Sequence, residues 1–211
     1  MAIQNDGPNG HFTGKVGSVY GYVLNGQNII RGARRPSSKK PTEAVLLNRK
    51  KIKVAAQFLS HLTPIVRYGY KNIAPKGSRV GPVQLAQSHI FKECIELDEN
   101  NNPFVNPQKV LLFRGALATP TGGRMDREEG SVTIYWNVNP QYTNEFYKIH
   151  IVLYDVEGEV GFLPAEAKAS AGVCVVNHPI LQRTTNPLHV CIAFTNVYEE
   201  TFSDSVYLGV L

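Results

Sequence analysis

The pattern of hydrophobic and polar positions changes character twice along the chain. Near the N-terminus, Val16 to Leu24 and Gln27 to Arg31 are rich in strand formers and flank Asn25-Gly26. That pair is favoured at the centre of a type I′ turn because both positions need φ > 0. The prediction is a β-hairpin. On its first strand Ser18, Tyr20, Tyr22 and Leu24 share one face, while Gly17, Val19, Gly21 and Val23 make the other nearly flat. A lone two-stranded ribbon is marginal in water and presents open edges. Its apolar positions, Val16, Val19, Tyr20, Tyr22, Val23, Ile29 and Ile30, are therefore expected to dock on something.

The next stretch, Arg34-Arg-Pro-Ser-Ser-Lys-Lys-Pro41, has two prolines and four cations and reads as an extended basic linker. Thr42 is placed as the N-cap of a helix running to about Leu62, with Pro41 and Pro64 as its boundaries. At 100° per residue Val45, Ile52, Ala55, Ala56 and Leu59 gather on one side, with Leu62 at its edge. Arg49, Lys50 and Lys53 fall on one flank and Lys51 on the other. A short second helix or strand is expected through Ile65 to Ile73.

From Ala74 to Gln108 turn clusters dominate (Gly81-Pro82, Glu99-Asn-Asn-Asn-Pro103), and periodicity does not decide between a strand pair and a short helix over Val83 to Glu96. Beyond that the alternation becomes plainly β. Strands are expected at Lys109–Leu117, Ser131–Val138, Tyr147–Asp155, Gly172–Val176, Leu188–Thr195 and Ser205–Leu211. Val132, Ile134, Trp136 and Val138 share a face, as do Leu188, Val190, Ile192 and Phe194. The expected fold is mainly β, an N-terminal hairpin and basic amphipathic helix followed by a C-terminal antiparallel β-sandwich. The sandwich looks like a fibronectin type III or immunoglobulin-like module. A disulfide-bonded immunoglobulin domain is not expected, because Cys191 faces away from the Leu188/Val190/Ile192 side. The expected organisation is a basic region over 1–79, an irregular connector over 80–108 and the sandwich over 109–211.

Charge sharpens this picture. Residues 1–79 hold fourteen Lys and Arg against Asp6 and Glu43, and residues 80–211 hold eight against fifteen carboxylates. The formal +5 thus conceals a basic arm of +12 on a body of −7. Such asymmetry points to a polyanion or to the acidic face of a neighbouring copy as partner. Cys94, Cys174 and Cys191 are an odd number at wide spacing, which fits three unpaired, mostly buried thiols. No apolar run is long enough for a transmembrane helix, so no membrane insertion is expected. The first ten residues lack the charged-then-apolar start of a secretion signal. The expected location is the cytoplasm, or a virion if the source is a phage.

The string Gly7-Pro-x-Gly-x-Phe-x-Gly-Lys-Val-Gly-Ser-Val-x-Gly-Tyr, with Ile30-Arg-Gly32, Pro36, Lys39-Lys-Pro-Thr42 and Phe58-Leu59 downstream, resembles an uncharacterised family of Bacteroidota proteins. That family is a domain of unknown function, and the specific likeness covers about residues 1–70. The resemblance implies a bacterial or bacteriophage source and no assigned activity, and it supplies no catalytic residues.

Candidate chemistry is sparse. Arg31, Arg34, Arg35, Lys39, Lys40, Arg49, Lys50, Lys51 and Lys53 form the strongest constellation, able to meet either phosphates or the acidic body of another copy. No aromatic residue lies between Tyr22 and Phe58, so any nucleic-acid contact would be to the backbone. His189-x-Cys191 with Cys174 and His178 lacks the paired doublets of a zinc site. Asp126, Glu128 and Glu129, and Asp155, Glu157 and Glu159, sit in turns without a calcium-loop pattern. There is no G-x-S-x-G, and Ser88-His89 are merely neighbours. The expectation is a non-enzymatic structural protein with no cofactor and no metal, working with other copies of itself through the hairpin. The alternative is a nucleic-acid-binding module that uses the basic arm. A carbohydrate- or protein-binding accessory module ranks third.

Overall fold

A computed structural model describes residues 3–4, 7, 10–24, 26–33, 38–73 and 80–211. The chain opens with a four-stranded antiparallel sheet of β1 (Ile3–Gln4), β2 (Phe12–Val16), β3 (Val19–Leu24) and β4 (Gln27–Gly32), in that spatial order. The β3–β4 hairpin is the expected one: Leu24 pairs with Gln27, so the turn falls at 25–26, with Gly26 at φ +78°. The expected strand from Val16 is broken, however. Val16 pairs with Val19 across Gly17-Ser18, and of these two only Gly17 has positive φ (+57°). A glycine first in a two-residue loop is the type II′ pattern, so a second hairpin precedes the first and the ribbon becomes a meander. The Phe12 ring lies across Gly21, where a Cβ would collide with it. Gly21 is thus the position where the flat face receives its own cover.

Helix α1 spans Glu43–Gly69. Thr42 occupies the cap position, though its side chain makes no capping bond. Contrary to the expected end near Leu62, the helix runs on through Pro64. The proline removes one i→i−4 bond, but Ile65, Val66 and Tyr70 are buried beyond it, and Tyr70 Oη donates to Leu111 O at 3.0 Å. Burying those side chains, worth roughly 1.5–3 kcal/mol for each large apolar one, outweighs the lost bond. Next come α2 (Pro82–His89), a single π-helical turn (Ile90–Cys94), the small pair β5 (Ile95–Leu97) and β6 (Pro103–Val105), and a 3₁₀ turn (Pro107–Lys109). The region that periodicity left open over Val83 to Glu96 is therefore mostly helical.

The β body consists of β7 (Arg124–Glu128), β8 (Ser131–Tyr135), β9 (Tyr147–Tyr154), β10 (Val160–Lys168), β11 (Val173–Val176), a one-turn α3 (Ile180–Arg183), β12 (His189–Asn196), β13 (Thr201–Phe202) and β14 (Val206–Val210). Strands β11-β8-β7 form one sheet. Strands β10-β9-β12 with β13 and β14 form the other. The two sheets face each other across a core of Val132, Ile134, Trp136, Ile149, Ile151, Val190, Ile192 and Phe194. The first, second and fifth main strands lie in one sheet and the third, fourth, sixth and seventh in the other, as expected of a fibronectin type III-like sandwich. The expected strand over Lys109–Leu117 is absent. Its backbone is held instead by Ser205 and Asp204: Leu112 N donates to Ser205 Oγ at 2.9 Å and Gly115 N to Asp204 Oδ1 at 3.0 Å. Strands β7 and β10 go beyond those expected.

The outer face of the larger sheet is covered. Val152 and Tyr154 of β9 and Cys191 and Ala193 of β12 pack against Phe58, Leu62, Val66 and Tyr70 of the α1 segment and against Val105, Leu112 and Phe113. A boundary near 105–109 thus corresponds to no gap in packing, since residues on both sides of it share one core. Cys191 faces the helices, as its alternation requires, and all three cysteines are free. At Gly69 the helix meets the sandwich backbone so closely that a Cβ would strike Leu112 O and the Phe113 ring. Gly69→Ala should cost about 1–3 kcal/mol. Helical ellipticity and Trp136 fluorescence should melt together in wild type and variant alike, whereas two separate transitions would contradict a shared core.

Candidate assembly surfaces

Two groups of residues stand outside the packed body. The first is the N-terminal sheet. None of its described residues belongs to either hydrophobic core. Register defines its faces. One carries Phe12, Val16, Val19, Val23 and Ile30, and the other Tyr20, Tyr22, Leu24 and Ile29. Val16, Tyr20, Val23 and Ile30 are 50%, 44%, 44% and 67% exposed. Val19, Tyr22 and Ile29 are half-buried. Both faces therefore present apolar side chains that no second layer covers among the described residues. Lys15, Tyr20 and Arg31 lie in one row across β2, β3 and β4, so Arg31 belongs with the aromatic face and not with the helix cations. Sequence reasoning passed over Lys15 and Phe12, because β2 became legible only once the Gly17-Ser18 turn was recognised.

The second group is the leading half of α1. At 1.5 Å per residue the helix is about 40 Å long, and its first buried residue is Ala55. Val45, Leu46 and Ile52 are 42%, 44% and 51% exposed, and Ala56 is exposed too. The buried face carries Ala55, Phe58, Leu59, Leu62, Ile65 and Val66. It is thus turned by roughly a quarter of a circle from the expected stripe. The cause is tertiary: the sandwich sheet meets the helix along the Phe58/Leu62/Ile65 line. Arg49, Lys50 and Lys53 are exposed along one flank and Lys51 is half-buried, with no ion pair to any of the four among the described residues. Lys39 and Lys40 are exposed ahead of the helix. Arg34 and Arg35, like Asn25, lie outside the described residues.

The weaker candidates do not converge. Cys174 packs toward the inter-sheet core and Cys191 toward the helices. His189 Nδ1 is 2.9 Å from Tyr207 Oη, and His178 Nδ1 accepts from Ile180 N at 3.2 Å. Among the described residues no group of three or more His, Cys, Asp or Glu is placed to hold a metal. His89 Nε2 is 3.3 Å from Lys109 O, and Ser88 is exposed beside it on α2. Asp155 serves its own turn, with Oδ1 accepting from the backbone N–H groups of Glu157, Gly158 and Glu159 at 3.0, 2.5 and 2.8 Å. Its burial opposes ionisation, but Asn186 and those three donors hold the carboxyl below its usual value. Asp126, Glu128 and Glu129 lie on the β7–β8 hairpin. An open groove of about 570 Å³ between α1 and β6 is lined by Phe58, His61, Phe104 and Val156.

One titratable group is deeply embedded. His150 is stacked on Phe113 (5.1 Å, 12°), with Tyr68, Phe162 and Phe202 around it. Its Nδ1 accepts from Ala165 N at 2.9 Å, while Nε2 has no partner. Ala165, at φ +52°, sits in the bulge of β10, so the histidine pins an edge strand where Pro164 interrupts the ladder.

The fold is that of a fibronectin type III-like sandwich with a helical cover and a separate N-terminal sheet. The chain belongs to a family of unknown function, DUF6266, whose model matches residues 11–209. No curated protein matches it. The match runs across sheet, helix and sandwich alike. The family is therefore defined by the whole arrangement and not by the first seventy residues alone.

Burial, with the nearby Lys71 charge, depresses His150 from 6.5 to about 4. The folded protein holds it neutral while the unfolded chain protonates it near its ordinary value. Stability is therefore complete above about pH 6.5 and falls as the pH drops toward 4, by at most about 3 kcal/mol from this group. His150→Phe should flatten most of that fall, leaving the smaller share of His189, also depressed by burial. It should cost about 1–3 kcal/mol at neutral pH by stranding Ala165 N–H. Urea melts at several pH values would test this, and an unchanged slope would contradict it.

Proposed function

We propose that this protein is a non-enzymatic structural component of a homo-oligomeric assembly (a filament, a layer or part of a virion) and that its N-terminal sheet is the connector. The observation that carries the reading is a four-stranded sheet with exposed apolar side chains on both faces and no share in either core. Roughly 25 cal/mol is gained per Å² of apolar surface removed from water, so such a sheet is driven toward a surface that its own body does not supply. Its outer strand β4 also ends the sheet, so that among the described residues no further strand is paired beyond it. The division of charge adds direction, since a basic N-terminal part favours an acidic body. A bacterial or bacteriophage source suits such a component.

A nucleic-acid-binding role is the second reading. It is favoured by the exposed row Arg49, Lys50 and Lys53, with Lys39 and Lys40 ahead of it. These contacts would track phosphates without base readout.

Deleting residues 1–32 should leave a folded body, because that body's core takes nothing from them, and should convert the oligomer to monomers in sedimentation velocity. An oligomer that survives the deletion would sink the reading. Under the second reading, duplex DNA should bind with a log–log salt slope of about −0.9 per phosphate neutralised. Replacing Lys39, Lys40, Arg49, Lys50 and Lys53 with Ala should then weaken binding equally for all sequences. A salt-insensitive oligomer without affinity for DNA or RNA would leave the structural reading alone.

A further inference from the structure

The sandwich has two outer faces, and among the described residues a layer covers one of them. Helix α1 and its neighbours lie on the larger sheet. On the three-stranded sheet, register turns Val132, Ile134 and Cys174 toward the core. It turns two cross-strand rows outward, Val173–Tyr135–Arg124 and Val175–Thr133–Asp126, with Glu128 at the end of β7. Val173 and Val175 are 42% and 54% exposed. The Arg124 guanidinium lies over the Tyr135 ring at 4.4 Å, so the cation of this face is already engaged while its carboxylates point to solvent. The β11 edge of the face is apolar, its β7 edge is acidic, and between them on β8 stand Tyr135 and the buried Thr133.

The N-terminal sheet carries the opposite. Its aromatic face has Tyr20, Tyr22 and Ile29 at the centre and Lys15 and Arg31 at the border, and the described residues before the linker include no carboxylate. We infer that the aromatic face of the N-terminal sheet of one copy docks on the Tyr135/Val173/Val175 face of the next, with Lys15 and Arg31 set against Asp126 and Glu128. This rests on the assembly reading above and names the surface that receives the connector.

A second copy is the occupant because the chain's own face is hard to reach. Residues 33–42 span at most about 35 Å when fully extended. They join the sheet to α1, which lies on the far side of the sandwich, and layers pack about 10 Å apart. To dock at home the sheet would have to pass both sandwich layers from the α1 side, whereas the same face on a second copy is met without that path. A head-to-tail contact between unlike faces repeats without closing unless its rotation happens to form a ring, which suits a filament or a layer. The valine edge with Tyr135 supplies the affinity, while the charges on β7 fix orientation and exclude a sheet-to-sheet pairing of two basic faces.

The test is sedimentation velocity over a concentration series of the full chain. Val173→Asp with Val175→Asp, both on an exposed face, should weaken association by about tenfold or more, since burying a charge in the contact is unfavourable. Lys15→Glu with Arg31→Glu, and Asp126→Lys with Glu128→Lys, should each weaken it. Mixing those two reversed variants should restore it, because each then offers the other a complementary face. If both valine and charge variants associate like wild type while deletion of 1–32 gives monomers, the connector docks elsewhere and this inference falls with the assembly reading intact. If wild type is a monomer throughout the series, or the deletion keeps the oligomer, both fall.

Discussion

The structure depends on the antiparallel pairing of β9 with β12. Every residue of β12 is buried, because both faces of the pair are covered, by the three-stranded sheet on one side and by the α1 layer on the other. A strand buried on both faces reads as a continuous apolar run, and Val190-Cys-Ile-Ala-Phe194 is such a run. From this pair follow the burial of Cys191, the turned face of α1 and the seating of Phe113 and Tyr70. The aromatic enclosure of His150 follows as well. The helix is a layer of the same body and not an appendage to it.

That body leaves the N-terminal sheet out. A four-stranded meander is large enough to hold its register, and Phe12 over Gly21 gives it a small cover of its own. Yet nothing in either core requires it, and its apolar side chains remain at the surface. In the proposed assembly, the opposition of a basic, aromatic sheet and a face with one aliphatic and one acidic edge makes that exposure a directional contact. Among the described residues the cations of the leading half of α1 make no ion pair, while surface pairs such as Lys71–Glu200 and Lys168–Glu145 form elsewhere. Such surface pairs each contribute only about 0–1 kcal/mol, so in the proposed assembly apolar burial outweighs them.

Much of this was legible in the sequence, and what was not has identifiable causes. Asn25-Gly26 and the alternation at Val132–Trp136 and Leu188–Phe194 located the hairpin and the two sandwich faces, because local turn chemistry and period-two burial act there without competition. The extension of α1 past Pro64 was hidden, since the side chains that hold it are buried by residues far along the chain. The rotation of the buried face of α1 has the same cause: Ala55, Leu59 and Leu62 are buried as expected, but the sandwich selects Phe58, Ile65 and Val66 with them in place of Val45, Ile52 and Ala56. Strand β10 escaped because Pro164 and the Ala165 bulge interrupt its alternation, and β7 because Arg-Met-Asp-Arg-Glu carries four charges at a sheet edge. Lys109–Leu117 has a strand's composition but is tied by Ser205 and Asp204 side chains. Of the candidate surfaces, the hairpin residues and helix cations were legible. The receiving face was not, since Val173 and Val175 reveal their exposure only once Cys174 and Val176 are seen to point inward.

The central claim is that the N-terminal sheet is buried only between copies. Hydrogen–deuterium exchange of the full chain, followed over a range of protein concentrations, tests it most directly. The amides of β3 and β4 should gain protection as concentration rises, together with those of β11, while β9 and β12 stay protected throughout. Protection of β4 that is already complete in dilute protein, or that never changes with concentration, would contradict the account.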